Sequence, residues 1–196
     1  MYNNKNVNVG IMLNEYGIDF YEDGSTKKEE LNYLKELAEK SKGIIVEIGG
    51  FQGRTSIELG VGSKKGGNNK VYVIDPWRGH KLNGTKDVYF SKEVFLNNIE
   101  KAGVNDIVNA VQSLSEDALL NWDKEIGMLF IDGDHSYNGV KKDIKWIEYV
   151  KSGGIVAFHD YLLPKYKDSV VKAVNEIKDS LVFDKHINGL IVFRKK

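Results

Sequence analysis

Short, mostly apolar runs alternate along this chain with longer stretches whose apolar positions recur at helical spacing. The runs fall at 44–48, 71–75, 107–111, 128–132 and 155–159; they are rich in β-branched residues and have the length of strands. Between the last two, Val140, Ile144, Ile147 and Val150 line one helical face. Strands that are apolar on both faces, joined by amphipathic helices, predict β-α-β units and a parallel sheet covered on both sides. Ahead of the first run, Thr26 and Glu29 have capping-box spacing, and Leu31, Leu34, Leu37 and Ala38 form an apolar stripe, so an extra helix leads into the sheet. At the far end, 181–183 and 190–193 flank Asn188-Gly189, a hairpin signal that predicts one antiparallel strand closing the sheet.

Composition narrows what such a sheet does. A chain of 196 residues with two prolines and 41% hydrophobic residues suits one domain with a sizeable core. Lys+Arg and Asp+Glu balance at 28 each, which gives no basic excess for phosphate backbones, so nucleic acid is not an expected partner. The chain has no cysteine, which excludes disulfides, a thiolate nucleophile and a Cys-ligated zinc. No apolar run approaches the roughly 18 residues that cross a bilayer, and residues 1–10 are too polar for a signal peptide. The expectation is a soluble, cytoplasmic protein without a membrane partner.

The stretch "VEIGGFQGRTS" at 46–56 is the first strand, the first turn and the start of the first crossover helix. In open parallel sheets this turn commonly lines the ligand crevice. Gly49 and Gly50 let a ligand approach the backbone, and Gly53 lets the helix pack close to the strand. The turn is not the dinucleotide fingerprint, because Phe51 and Arg54 stand where glycine is required, and no Gly-Lys-Ser/Thr follows to make a P-loop. A nucleoside-type ligand without phosphates fits better than a pyrophosphate. Asp75, ending the second strand, can accept hydrogen bonds from both hydroxyls of a ribose or can simply cap the next turn. Ser113 and Glu116 have capping-box spacing after the third strand, where a polar turn would lie beside an adenine.

These residues resemble a known family. Glu47, Gly49 and Gly53 after strand one, Asp75 closing strand two, and "IDGDHSY" and "GGIVAFHD" further on are similar to class I S-adenosylmethionine-dependent methyltransferases. Within them, the likeness is to the branch of macrocin-type O-methyltransferases and cephalosporin hydroxylase-like proteins. The resemblance implies an α/β, Rossmann-like, doubly wound seven-stranded sheet in three αβα layers, mostly parallel with one antiparallel strand near the C-terminus. It implies S-adenosylmethionine as cofactor: Glu47, Gly49, Gly50, Phe51, Gly53, Thr55 and Ser56 beside the methionine part, Asp75 at the ribose, Trp77 and Ser113 around the adenine, and Asp132 at the crevice. Residues 26–196 would form the single methyltransferase domain, and 1–25 an N-terminal lid or interface segment that leaves homo-oligomerisation open.

Chemistry concentrates at the ends of strands four and five. Asp132 and Asp134 flank a glycine, His135 follows, and His159 and Asp160 close the next strand. Such a cluster can hold a divalent metal that lowers the pKa of a substrate hydroxyl. The resemblance implies magnesium at Asp132 and Asp160; His159 departs from that pattern and suits manganese, iron or zinc better. An EF-hand is excluded because Tyr137 stands where its loop needs glycine. His135 is the first candidate for the catalytic base, with Asp132 and Asp134 as alternatives; Ser136 reads as the N-cap of the following helix. His80 is a further residue that could face the acceptor, Arg54 could meet an acidic ligand, and Trp122 and Trp146 read as helix packing. The leading function is O-methylation of a small-molecule hydroxyl, of a sugar or secondary metabolite. The alternatives are a non-methylating, hydroxylase-like enzyme and a non-catalytic nucleoside-binding module on the same fold.

Overall fold

A computed structural model of the chain describes residues 15–18, 20, 26–78 and 91–196. Helix α1 (Lys28–Lys40) leads into strand β1 (Ile44–Ile48), followed by α2 (Arg54–Lys65), β2 (Val71–Asp75), α3 (Lys92–Lys101), β3 (Val108–Gln112) and the short α4 (Ser115–Leu119). Strand β4 (Ile126–Ile131), α5 (Tyr137–Asp143), a 3-10 turn (Ile144–Tyr149) and β5 (Val150–Phe158) come next. A short π-helical stretch (Lys167–Val171) runs into α6 (Lys172–Asn175), and β6 (Leu181–Ile187) and β7 (Leu190–Lys195) complete the sheet.

The strand order is β3-β2-β1-β4-β5-β7-β6, with every neighbouring pair parallel except those made by β7. The seven-stranded sheet with one antiparallel strand is therefore as expected. The alternation of side chains along each strand builds two cores. On one face Ile45, Val73, Phe130 and Ala157 pack against Leu34 and Leu37 of α1, Ile57 of α2 and Phe95 of α3. On the other, Val46, Ile48, Leu129 and Val156 meet Val140, Trp146, Ala173 and Val174. Burial on both faces explains why these strands read as continuous apolar runs. Ile18 and Phe20, from the N-terminal segment, are buried in the first core.

Some boundaries move. The amphipathic stretch after residue 137 is not one helix: it tightens into a 3-10 turn at Ile144, and Val150 already belongs to β5. Helix α1 is capped one residue later than Thr26 and Glu29 imply, because Glu30 reaches back to the amide of Lys27 at 2.6 Å while Thr26 faces Thr55 across 3.4 Å. Helix α4 begins at Ser115 with no side-chain cap; Ser113 hydrogen-bonds the carbonyl of Leu114 instead. Ser136 is the N-cap of α5, accepting from the amide of Gly139 at 3.0 Å. Trp146 is fully buried and packs edge-on against Trp122.

Candidate active site

The strand order reverses between β1 and β4, and the helices that follow these two strands, α2 and α5, pack on opposite faces of the sheet. Ile48 and Ile131 are register partners, so the turn after β1 and the acid after β4 meet. Asp132 donates its amide to Ile48 O at 2.8 Å, and Gly49 lies so close that an added Cβ would stand 2.1 Å from the carbonyl oxygen of Asp132. With φ at +95°, Gly49 satisfies a backbone shape and a contact that no larger residue meets.

Around this turn the candidate cofactor residues are engaged as follows. Asp75 Oδ2 accepts from the amides of Gly50 at 2.9 Å and Phe51 at 3.0 Å, and Oδ1 accepts from the amide of Trp77 at 2.6 Å. A carboxylate has about four acceptor positions. One therefore remains for a ligand, rather than the pair needed to hold both ribose hydroxyls. Glu47 is buried and receives the hydroxyl of Ser56; burial, reinforced by the charges of Asp132 and Asp75, pushes its carboxyl well above the ordinary range. Trp77 lies beneath the turn rather than in the open crevice: its ring is buried against Phe95 and its Nε1 donates to Phe51 O at 3.0 Å. Phe51 is exposed, and the Ser113 amide donates to Asp75 O at 3.2 Å, so both rim the crevice. His80 lies outside the described residues.

The acids and imidazoles of β4 and β5 come together beside this turn. The amide of His159 bonds Ile131 O, which sets the end of β5 against the end of β4. Asp132, His159 and Asp160 each present a ligand atom within 4.8 Å of the others. His159 Nδ1 lies 3.3 Å from Asp132 Oδ1 and 3.5 Å from Asp160 Oδ1. His135 Nε2 lies 2.7 Å from Asp160 Oδ2 and 3.5 Å from Asp132 Oδ1. It is buried and, despite that closeness, aligned with no hydrogen-bond acceptor among the described residues. Asp134 is used differently: its carboxylate accepts from the amide and hydroxyl of Ser136, both at 2.9 Å, and so braces the start of α5.

Electrostatically the cluster is two acids against two imidazoles. Burial would raise Asp132, but the charges of His159 and, second, His135 outweigh it and hold its carboxyl down to about 2. Burial would lower His135 and His159, but Asp132 and Asp160 push them up to about 10 and, with Glu30, to about 11. The two carboxylates of Asp132 and Asp160 and one ring nitrogen of His159 lie close enough together to fit a divalent cation, which asks for oxygen ligands and tolerates imidazole when it is manganese, iron or zinc.

Two further residues belong to the site that the sequence did not single out. Glu30, from α1, is buried; its Oε2 lies 3.2 Å from His159 Nε2 and its Oε1 accepts from the amide of Gly189 at 2.7 Å. Burial pushes its carboxyl up, but His159 and the amides of Lys27 and Gly189 outweigh this and hold it below its ordinary value. An acid on the same helical face as Leu34 and Leu37 was the available signal. Tyr166 stacks on His135, with ring centroids 4.7 Å apart and planes 12° from parallel; nothing in the local sequence pattern marks it.

A doubly wound sheet whose glycine turn faces a cluster of strand-end acids and histidines defines the class I methyltransferase fold and its crevice. Residues 46–161 match the family described as "Methyltransferase domain", more than half of the chain. The chain belongs to that family, the S-adenosylmethionine-dependent methyltransferases. It is 32% identical over 161 residues to an uncharacterized protein of Acanthamoeba polyphaga mimivirus, covering 79% of this chain and 69% of that one. Among solved structures, the O-methyltransferase NovP superposes with a TM-score of 0.69 at 18% identity, over 85% of this chain and 79% of NovP. An O-methyltransferase from Bacillus cereus, solved in complex with SAH, superposes with a TM-score of 0.63 at 15% identity, over 87% and 83%. Among the described residues no helix is long and apolar enough to cross a membrane.

Proposed function

We propose that this enzyme methylates a hydroxyl oxygen of a small molecule, a sugar or secondary metabolite, with the help of a divalent cation held by Asp132, His159 and Asp160. The observation that carries this reading is the closeness of the two halves of the crevice: the glycine turn and the acid–imidazole cluster share Asp132, whose backbone touches Gly49 and whose carboxylate touches both histidines. A methyl donor on the turn and an acceptor at the cluster are then neighbours.

When bound, S-adenosylmethionine supplies a methyl on a sulfonium sulfur; the acceptor C–O bond forms as the C–S bond breaks, leaving S-adenosylhomocysteine and a proton. Residues 47–53 hold the methionine part, the remaining acceptor position of Asp75 takes a ribose hydroxyl, and Ser113 borders the adenine. A divalent cation supplies positive charge that lowers the pKa of a hydroxyl set against it. His135 takes the hydroxyl proton, at Nε2, which lies beside Asp132 and Asp160. Its two carboxylate neighbours keep that nitrogen protonated while they lack another counter-charge, so it serves as base only when the acids are otherwise neutralised. Alignment of acceptor and donor is the rest of the protein's contribution.

A second reading is favoured by the donor set. An imidazole beside two carboxylates also suits iron(II), so a non-methylating, hydroxylase-like enzyme on this scaffold remains the competitor. One experiment separates them: calorimetric titration with S-adenosylhomocysteine, followed by assay of labelled methyl transfer to a panel of sugar and phenolic hydroxyls with magnesium or manganese. Cofactor binding near the micromolar level, about −8 kcal/mol, with cation-dependent labelling of an acceptor supports O-methylation. Absence of labelling across the panel, with cofactor bound, favours the competitor; no cofactor binding at all defeats the reading.

A further inference from the structure

Glu30 is costly to explain as a helix cap alone. A capping-box acid needs only the N-cap amide, and such residues stand at the solvent edge of a helix. Glu30 makes that contact, with Lys27 N at 2.6 Å, but its side chain is 2% exposed and, among the described residues, pairs with no lysine or arginine. Its other contacts are the amide of Gly189 in the β6–β7 turn and the Nε2 atom of His159, 129 positions away in sequence. The turn itself is held on its other side, because Gly189 O accepts from the amide of Tyr161 at 2.8 Å. Glu30 is thus fixed by two backbone amides from separate parts of the chain, with no freedom to withdraw from the imidazole.

A carboxylate only accepts hydrogen bonds, so the nitrogen of His159 that faces Glu30 must carry a proton. The other nitrogen, Nδ1, faces Asp132 and Asp160 at 3.3 and 3.5 Å. With a proton fixed on Nε2, Nδ1 is the one that can give its proton up and present a lone pair. A histidine that binds metal through one nitrogen commonly donates from the other to a carboxylate, and that partner sets both the tautomer and the ring's direction.

We propose that Glu30 is a positioning residue which, by accepting the Nε2 proton of His159, holds that ring with Nδ1 turned to the cation shared with Asp132 and Asp160. The inference rests on the metal reading above and goes beyond it by assigning the tautomer to a residue of the helix that precedes the sheet. It also explains why α1 and the C-terminal hairpin turn meet at this place: together they build the far wall of the site.

The test is calorimetric titration of EDTA-treated protein with manganese and, separately, magnesium, for the wild type, Glu30→Gln and Glu30→Ala. Titration with S-adenosylhomocysteine in EDTA serves as the control for folding. Loss of a carboxylate that orients a metal-bound histidine typically weakens affinity about 10–100-fold. Glu30→Ala is expected to weaken manganese by that factor, magnesium by less because magnesium gains little from imidazole, and S-adenosylhomocysteine by no more than about twofold. Glu30→Gln, whose carbonyl still accepts from Nε2, is expected to fall between wild type and Glu30→Ala, and carries the comparison if Glu30→Ala does not fold. Manganese affinity unchanged in both variants, or both metals and S-adenosylhomocysteine weakened by one common factor, overturns the role of Glu30 while leaving the metal reading intact. A wild type that binds neither metal removes the metal reading and this inference with it.

Discussion

The Nε2 atom of His135 lies 2.7 Å from Oδ2 of Asp160, and the ring is held there by a parallel stack on Tyr166. Burial of His135 disfavours its charge, yet Asp132 and Asp160 raise its pKa from 6.5 to about 10. A raised pKa means that the folded state binds the proton more tightly than the unfolded chain. The resulting stability is full below pH 6.5 and is lost as pH rises through about 10. Asp132 runs the other way, its pKa lowered from 3.8 to about 2: its share is present above 3.8 and is lost as pH falls through about 2. In EDTA, wild type should therefore exceed His135→Gln in denaturation midpoint near pH 6, with the two curves converging toward pH 10. A gap that stays constant from pH 6 to 10 would contradict this account of the pair.

Gly49 is expected to be the least replaceable glycine of the turn. A Cβ there meets backbone atoms of Asp132 at 2.1 and 2.6 Å, and the left-handed backbone adds strain of its own. At Gly133 the nearest atoms are the side chains of Ile48 and Asp143, at 3.2 and 3.3 Å, with no such backbone. Gly49→Ala should cost at least about 2–4 kcal/mol of stability and about 100-fold or more in S-adenosylhomocysteine affinity; Gly133→Ala should cost about 1 kcal/mol or less. Thermal denaturation and calorimetry on both variants check the order, and equal losses would show that the contact between the two loops is not what the turn requires.

Asp75 ties the turn to strand β2 through the amides of Gly50 and Phe51, and accepts a third from Trp77 just past its own strand. Asp75→Ala leaves those amides without their acceptor and removes the one position left for a ribose hydroxyl. S-adenosylhomocysteine should bind about 10–100-fold more weakly, since hydrogen bonds to a charged group each contribute about 1.5–3 kcal/mol. Asp75→Asn should lie between, because its amide nitrogen cannot accept from Trp77 N. Binding within twofold of wild type in Asp75→Ala would mean that the carboxylate serves neither purpose.

How much of this was legible in the sequence depends on the range of the signal. The strands were, because burial on both faces leaves a continuous apolar run in the one-dimensional pattern, as in 128–131. So were the strand ends that build the crevice: Asp75, Asp132, His159 and Asp160 stand where an apolar run stops. The partners of these residues were not. Asp75 has one free position rather than two because the amides of Gly50, Phe51 and Trp77 close on it in space, and Trp77 is beneath the turn because Phe95, from a helix further on, covers it. Ser113 missed the cap of α4 because that helix begins at Ser115, with Leu114 at its N-cap, and Ser115 accepts from the Nε1 of Trp146, 31 positions away. Glu30 offered a weak sign, an acid among Leu31, Leu34 and Leu37, whose meaning depends on a histidine 129 positions later. Contacts at such separations leave no periodicity to read.

That same long-range packing leaves Asp143 with a charge that the fold tolerates poorly. It closes α5, is 3% exposed, and stands behind Gly133. Trp146 Nε1 donates to Ser115 Oγ at 2.9 Å, and Ser115 in turn supports the Asp143 carboxyl. Burial is the largest influence and outweighs that support; with the charges of Asp134 and Glu116 adding to it, the carboxyl is raised from 3.8 to about 7. The folded state therefore prefers Asp143 protonated, so its favourable contribution is complete below pH 3.8 and is lost as pH rises through about 7. Above that, the chain folds against the burial of an anion. Asparagine keeps the volume and the acceptor for Ser115 without the charge, so Asp143→Asn should stabilise the protein at pH 8, by on the order of 1–3 kcal/mol after local relaxation. At pH 4 the two proteins should be alike. Denaturant unfolding at the two pH values decides it: a variant less stable than wild type at pH 8 would show that the ionised carboxylate is a favourable part of the structure and that its surroundings supply more compensation than Ser115 alone.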